Sequence, residues 1–197
     1  MKKFFIKDIP KNDFRSIHHL LKKKKITGKI YQKFFLHKKL LKQLKGKILD
    51  VGAGLGDFIK QCPDGFAVDP DPLNVQEMIN RGIKAKQLFN DKIDYNDSFF
   101  DSVIMDNVLE HIVNPDNLLL EIKRVLKPNG ILLIGVPGLK GFQKSEDHRV
   151  FYDENLLKKL LNKDYNFSRS FYTPFKLEIF NKNLKSYCLY AIFTKKF

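Results

Sequence analysis

The stretch Ile48-Leu49-Asp50-Val51-Gly52-Ala53-Gly54-Leu55-Gly56 constrains this chain more than any other, because a short apolar run ends there in three glycines at alternate positions. Residues 47–51 have the character of a buried strand. A glycine-rich turn after the first strand of a parallel sheet lies at the carboxyl edge, where doubly wound folds bind nucleotides. Glycine lets the backbone turn sharply there and lets a ligand approach with no Cβ in the way.

The rest of the chain repeats that texture. Strand patterns at 66–68, 83–88 and 100–105 flank a helical pattern at 73–80. Asn114-Pro115-Asp116 then opens a helix, with Asn as N-cap, Pro in the first turn and Asp at the positive end. Leu118, Leu119, Ile122, Val125 and Leu126 form its inner side, and Lys123, Arg124 and Lys127 suit its negative end before Pro128 and Gly130 stop it. A strand at 131–136, a polar loop at 139–150, a helix at 153–161 and strands at 167–172 and 187–193 complete the series. The loop is long enough to act as a lid or substrate loop. Strands alternating with helices predict right-handed crossovers and a doubly wound, Rossmann-like α/β fold. Its sheet is mostly parallel and seven-stranded, with helices on both faces.

Charge divides the chain in two. Residues 1–47 carry 16 Lys+Arg against 2 Asp+Glu, whereas the remainder is balanced at 20 of each. Residues 1–14 read as loosely ordered. Residues 16–44 read as one or two amphipathic helices with a break near Thr27-Gly28, Ile30, Phe34, Leu41 and Leu44 recurring at helical spacing. The division is therefore a basic helical extension over 1–45 and a ligand-binding domain over 46–197. The lysines suit an anionic partner, nucleic acid or an acidic membrane surface, and equally a solvated helix face. No apolar run reaches the roughly 18 residues of a membrane span, and the N-terminus lacks a secretory signal pattern. Cys62 and Cys188 make no disulfide framework and no metal-type spacing, which points to a reducing, cytoplasmic setting; no metal ligands are read from the sequence.

Loop chemistry selects the ligand. A dinucleotide fingerprint G-x-G-x-x-G starting at Gly52 wants glycine at position 57, where this chain has Asp57, an anion where a pyrophosphate would sit. No G-K-[ST] follows, which excludes a Walker-type phosphate loop. Asp50 just before the turn is unhelpful to phosphate and well suited to a cationic amino-acid tail. S-adenosylmethionine (SAM) carries an ammonium, a sulfonium and no phosphate, and so fits. Asp69, 19 positions after Asp50 in Phe66-Ala67-Val68-Asp69-Pro70, is placed to hold ribose hydroxyls, although an Asp in this Asp-Pro-Asp-Pro run also suits a helix cap.

These residues resemble class I SAM-dependent methyltransferases, particularly the small ubiquinone-biosynthesis type (methyltransferase type 11/23) with a D-x-G-x-G-x-G loop. Asp97-Ser98-Phe99-Phe100-Asp101, Asn107-Val108-Leu109-Glu110-His111-Ile112 and Arg124-Val125-Leu126-Lys127-Pro128-Asn129-Gly130 resemble further segments of that family. Asp147-His148-Arg149-Val150-Phe151-Tyr152 resembles a loop of some members, and the likeness spans roughly 46–163. The resemblance implies that Asp50, Gly52, Ala53, Gly54 and Gly56 line the methionine half of SAM, that Asp69 and Pro70 lie at the ribose, and that Asp106 and Asn107 form the floor. The adenine partner falls in Phe89-Asn90-Asp91-Lys92-Ile93, with Asn90 and Asp91 both candidates. The product would be S-adenosylhomocysteine (SAH).

His111 and His148 are the candidate bases for an acceptor that must lose a proton, each with a packing role as its alternative; His18, His19 and His37 read as surface residues. Glu110 could orient His111 or a substrate amine. A small anionic acceptor, phosphorylated or nucleotide- or sugar-linked, accounts for the basic extension. RNA or tRNA as acceptor is the competing enzyme class, although the D/N-P-P-Y turn that stacks an extruded adenine is missing. A non-catalytic SAM-binding regulatory subunit is the other alternative. Oligomeric state is not legible.

Overall fold

The computed structural model describes residues 35–174 and 187–197. The helices expected across 16–34, with their break at Thr27-Gly28, and residues His18 and His19 lie outside that range.

β1 (Ile48–Val51) is buried at all four positions, as a strand covered on both faces must be. It runs parallel to β2 (Gly65–Asp69) on one side and to β4 (Phe100–Asp106) on the other. β3 (Lys84–Gln87) pairs with β2, and β5 (Leu126–Pro137) pairs with β4, both parallel. β6 (Tyr165–Thr173) and β7 (Cys188–Lys195) are antiparallel to each other, and β7 is also antiparallel to β5. The order is β3-β2-β1-β4-β5-β7-β6, a seven-stranded sheet as the sequence predicts. The direction of winding reverses between β1 and β4, so a crevice opens at their carboxyl ends, where ligands of doubly wound folds bind.

Among the described residues five helices flank the sheet: α1 (His37–Leu41), α2 (Pro72–Asn80), α3 (Asp116–Val125), α4 (Leu139–Lys144) and α5 (Glu154–Leu161). α2 starts with Pro72 in its first turn and the Asp71 carboxylate accepting from Leu73 N; α5 starts with Asp153 accepting from Leu156 N. One apolar cluster joins α3 and α5 to the sheet through Leu118, Ile122, Val125, Leu157 and Leu161. The other joins α1 and α2 through Leu36, Leu40, Val75 and Met78, packed on Ile48, Ile104 and Ile192.

The structure departs from the sequence reading in four places. Between β1 and β2 the described chain forms only a 3-10 turn, Ile59–Gln61, where the sheet pattern leads one to expect an α-helix. Thirteen residues separate Val51 from Gly65, too few for the glycine turn and a helix of ordinary length. α1 closes that face instead, so His37, read as a surface residue, is buried with its ring edge-on to Phe58 and its Nδ1 against the Gln61 side-chain amide. The helix opened by Asn114 begins at Asp116, with Pro115 at its cap and Asn114 Oδ1 accepting from Asp116 N at 3.2 Å; it ends at Val125, because β5 already starts at Leu126. The polar loop at 139–150 contains α4.

Arg124, in the last turn of α3, explains how the segment between β3 and β4 is held. Its guanidinium donates to the Ile93 and Tyr95 carbonyls, to Asp97 at 2.7 Å and to both Glu121 oxygens at 2.8 Å. Glu121 in turn accepts from Ile93 N. A planar fork of donors is required for this, and lysine cannot supply it. Arg124→Lys is expected to lower unfolding stability by about 2 kcal/mol and to speed amide hydrogen exchange across 91–98 selectively; unaltered protection there would refute the anchoring role.

Candidate cofactor and acceptor site

The glycine loop sits where β1 ends. Gly52 N and Ala53 N both donate to Val68 O, tying the turn to β2. A Cβ on Gly52 would lie 2.5 Å from Val108 Cγ2, so this glycine lets the turn after β4 approach the loop. Gly54, with φ of +57°, has nothing within 4 Å of a Cβ position and faces open space. Gly56 serves packing: its Cβ would meet Ile83 Cδ1 at 2.5 Å.

Three carboxylates converge beside that opening. Asp50 is only 5% exposed, and no described donor hydrogen-bonds to it. Burial raises its pKa well above the usual carboxylate range, and Asp106 and Asp69 push it further. Asp106 Oδ1 accepts from Tyr190 Oη at 2.9 Å and from Asn107 Nδ2 at 2.8 Å. Gly135 makes that approach feasible, since a Cβ there would lie 2.5 Å from Asp106 Oδ1 and from the Tyr190 ring. Asn107 itself takes a left-handed backbone, φ of +56°, and its N donates to Gly135 O. Asp69 is raised by burial despite accepting from Asn74 Nδ2, Asp71 N and Gly54 N. Its 2.7 Å bond from Gly54 N makes it the clamp that shapes the loop.

Whether this cradle suits SAM can be judged from the charge. A buried carboxylate without donors, next to two more, is a costly arrangement that a bound cation relieves and a phosphate aggravates. The 3-10 turn after the loop also withholds the helix N-terminus that pyrophosphates exploit. The donor set therefore fits an ammonium and sulfonium.

Other sequence candidates are placed differently. Asp57 turns away to an exposed pair with Arg81 at 2.9 Å, and the same guanidinium holds Leu55 O. The buried acid at the loop is thus Asp50, whereas Asp57 is exposed and paired. Pro70 is exposed beyond β2, with its carbonyl accepting from Gln87. Asn90 and Asp91, at φ of +48° and +61°, form the tip of a tight turn closed by Lys92 N donating to Phe89 O. Both central residues have positive φ, which by itself demands Asn and Asp. Beside them Phe89 is 68% exposed, an aromatic the sequence reading passed over; its place just after β3 was the available signal. Tyr190 was also missed, because its partner Asp106 is 84 residues away.

A second cluster follows β4 in the 3-10 turn Leu109–His111. Glu110 is fully buried and neither carboxylate oxygen has a hydrogen-bond partner among the described residues. Its pKa is pushed up to about 8 by burial, with Asp106 and Asp147 adding to the rise. The Glu110 carbonyl accepts from Arg149 N and Val150 N, which brings His148 to the site. The two imidazoles meet edge to face, centroids 4.8 Å apart. His111 Nε2 and His148 Nε2 lie 4.0 and 3.8 Å from Glu110 Oε1. His148 Nδ1 contacts Phe142 O at 3.0 Å, and His111 Nδ1 contacts Asp147 Oδ2 at 3.2 Å. The two candidate bases, far apart in sequence, thus share one carboxylate.

Comparison with known proteins accords with this geometry. A family profile described as a methyltransferase domain matches residues 8–177. An uncharacterized protein of Methanocaldococcus jannaschii is 32% identical over 123 residues, covering 62% of this chain and 58% of that protein. A ubiquinone/menaquinone biosynthesis C-methyltransferase of Paraburkholderia phytofirmans is 33% identical over 101 residues, 45% of this chain and 42% of that enzyme. The chain thus spans about half the length of the curated relatives it matches. In fold it resembles a SAM-dependent methyltransferase from Aquifex aeolicus (TM-score 0.63, 21% identity, 84% and 92% of the two chains). It also resembles a Haloferax volcanii putative methyltransferase solved in complex with the Trm112 methyltransferase activator (TM-score 0.69, 14% identity, 86% and 93%). The chain belongs to the methyltransferase-domain family. Within it, the fold is that of the class I, SAM-dependent members.

Because burial raises the folded-state pKa of Asp50 above its unfolded value, Asp50 favours folding at acid pH and loses that contribution as pH rises through its folded pKa. Asp50→Asn cannot ionise. The cofactor-free variant is expected to melt above the parent near pH 8, with the gap closing towards about pH 4, while its affinity for SAH falls at least about tenfold. A variant that melts lower at both pH values and binds SAH normally would contradict the reading.

Proposed function

We propose that this chain transfers a methyl group from SAM to a small anionic acceptor. The observation that carries the cofactor half is Asp50: buried, without a donor, and set among acids at a glycine turn open at Gly54. Asp50 would receive the ammonium of SAM, with Gly52, Ala53 and Gly54 along the methionine chain and Asp106 and Asn107 beneath it. Asp69, fixed by three donors, keeps lone pairs for the ribose hydroxyls. Pro70 and the turn at Asn90-Asp91 border the adenine, with Phe89 offering it an apolar face.

SAM brings its own leaving group, so the bound cofactor supplies an activated methyl for in-line displacement. What the chain adds is alignment and exclusion of water, worth several kcal/mol of barrier in such reactions. His111 and His148 stand on the acceptor side, held in place by Asp147, Phe142 O and the shared Glu110. The basic excess of residues 1–47 supports an anionic acceptor; Lys38, Lys39, Lys42, Lys45 and Lys47 of that run lie in the described part. No helix among the described residues is long and apolar enough to cross a membrane.

Calorimetry is expected to show SAM and SAH binding and no binding of NADH; the reverse would sink the assignment. Incubation with SAM and anionic acceptors should release SAH, whereas cofactor binding without turnover on any acceptor, RNA included, would favour a regulatory role. With an acceptor in hand, His148→Ala should cut kcat at least about tenfold and leave SAM affinity within about twofold. Turnover that also survives both rising salt and Lys→Glu changes at 38, 42 and 45 would defeat the anionic acceptor.

A further inference from the structure

We infer that Glu110, His111 and His148 form a binding site for a divalent first-row transition cation of the zinc type. Nothing in the loop chemistry of the cofactor requires it, and it deepens the acceptor half of the proposed function, on which its catalytic use rests.

The geometry is that of a ligand set. Glu110 presents a carboxylate with a 1% exposed side chain and, among the described residues, no hydrogen-bond partner on either oxygen, a state that a buried acid does not keep without a ligand or a proton. The Glu110 oxygen and one ring nitrogen from each histidine all lie within 4.8 Å of one another. A cation bonded to all three at about 2.1 Å would hold these donors about 3.0–3.5 Å apart. The separations of 3.8 and 4.0 Å from Glu110 Oε1 close to that range by small side-chain rotations.

Outer partners select the right nitrogens. A carbonyl can only accept, so the contact of His148 Nδ1 with Phe142 O places the proton on Nδ1 and the lone pair on Nε2, which faces Glu110. The carboxylate of Asp147 does the same for His111 through its Nδ1. Histidine metal ligands are commonly fixed this way, by a carboxylate or carbonyl on the far ring nitrogen. Two imidazoles and one carboxylate suit zinc, iron or cobalt, whereas magnesium and calcium prefer all-oxygen sets. His111 is 36% exposed at its side chain, which gives the cation a way in and leaves coordination positions for an acceptor oxygen.

The site also resolves a conflict of charge. An anionic acceptor approaching Asp106, Glu110 and Asp147 meets acids; a divalent cation among them reverses the local sign. The acceptor can then be bound by its own oxygen rather than repelled.

The test uses the full chain, stripped with chelator and titrated with Co²⁺, whose visible d–d absorption reports ligand number. One equivalent is expected to saturate with the spectrum of a low-coordinate site. Glu110→Gln and His148→Gln should each weaken Co²⁺ binding at least about tenfold, and the gentler Asp147→Asn should weaken it less. SAH binding, measured in parallel, should stay within about twofold and certifies the fold. Absence of Co²⁺ absorption, or a titration that all three variants leave unchanged, overturns the site. If Co²⁺ binds as described but SAH does not, the cation site stands and the methyltransferase reading fails.

Discussion

A carboxylate taken out of water, with no hydrogen-bond donor among the described residues, is the constraint around which this molecule is arranged. Asp50 lies on β1, and its neighbours Asp69 and Asp106 end the strands on either side, so parallel pairing itself forces three negative groups to one edge. The sheet can hold them only because its apolar faces are well covered and because two of the three are satisfied from within. Asp69 takes the backbone of the glycine loop and Asp106 takes Tyr190. The third is left for something positive. Fold and ligand preference are in this sense one electrostatic statement.

From that edge, two networks extend in opposite directions. Towards β3, Arg124 in the last turn of α3 fixes the chain before β4 through the Ile93 and Tyr95 carbonyls. Towards β5, the carbonyl of Glu110 fastens the segment carrying His148 to the turn carrying His111. Val108, wedged against Gly52, connects the two halves. Displacement of the turn after β4 therefore presses directly on the glycine loop.

Much of this was legible in the residues. Alternating strand and helix patterns specify the sheet because buried parallel strands read as short apolar runs, and the glycine loop and Asp50 identify the edge. The missing helix between β1 and β2 was not legible as such, although the count of residues to Pro63 bounded it; α1 fills the gap through His37 and Leu40, contacts that span the chain. Asp57 was misread because its partner, Arg81, follows α2 and only the folded chain brings it back. Asn90 and Asp91 illustrate a different limit: turn geometry and ligand binding call for the same residue types, so identity alone does not separate them. The burial of Glu110 is a property of packing that no local pattern encodes.

β7 occupies the place between β5 and β6 although it follows both in sequence, and it brings Tyr190 to Asp106 and Cys188 to Asn107. A nascent or clipped chain lacking it would carry two open strand edges in its hydrophobic middle, a template for aggregation. It would also lack the phenol that donates to Asp106. Closure of the sheet and the Tyr190–Asp106 bond thus arrive with the same eight residues.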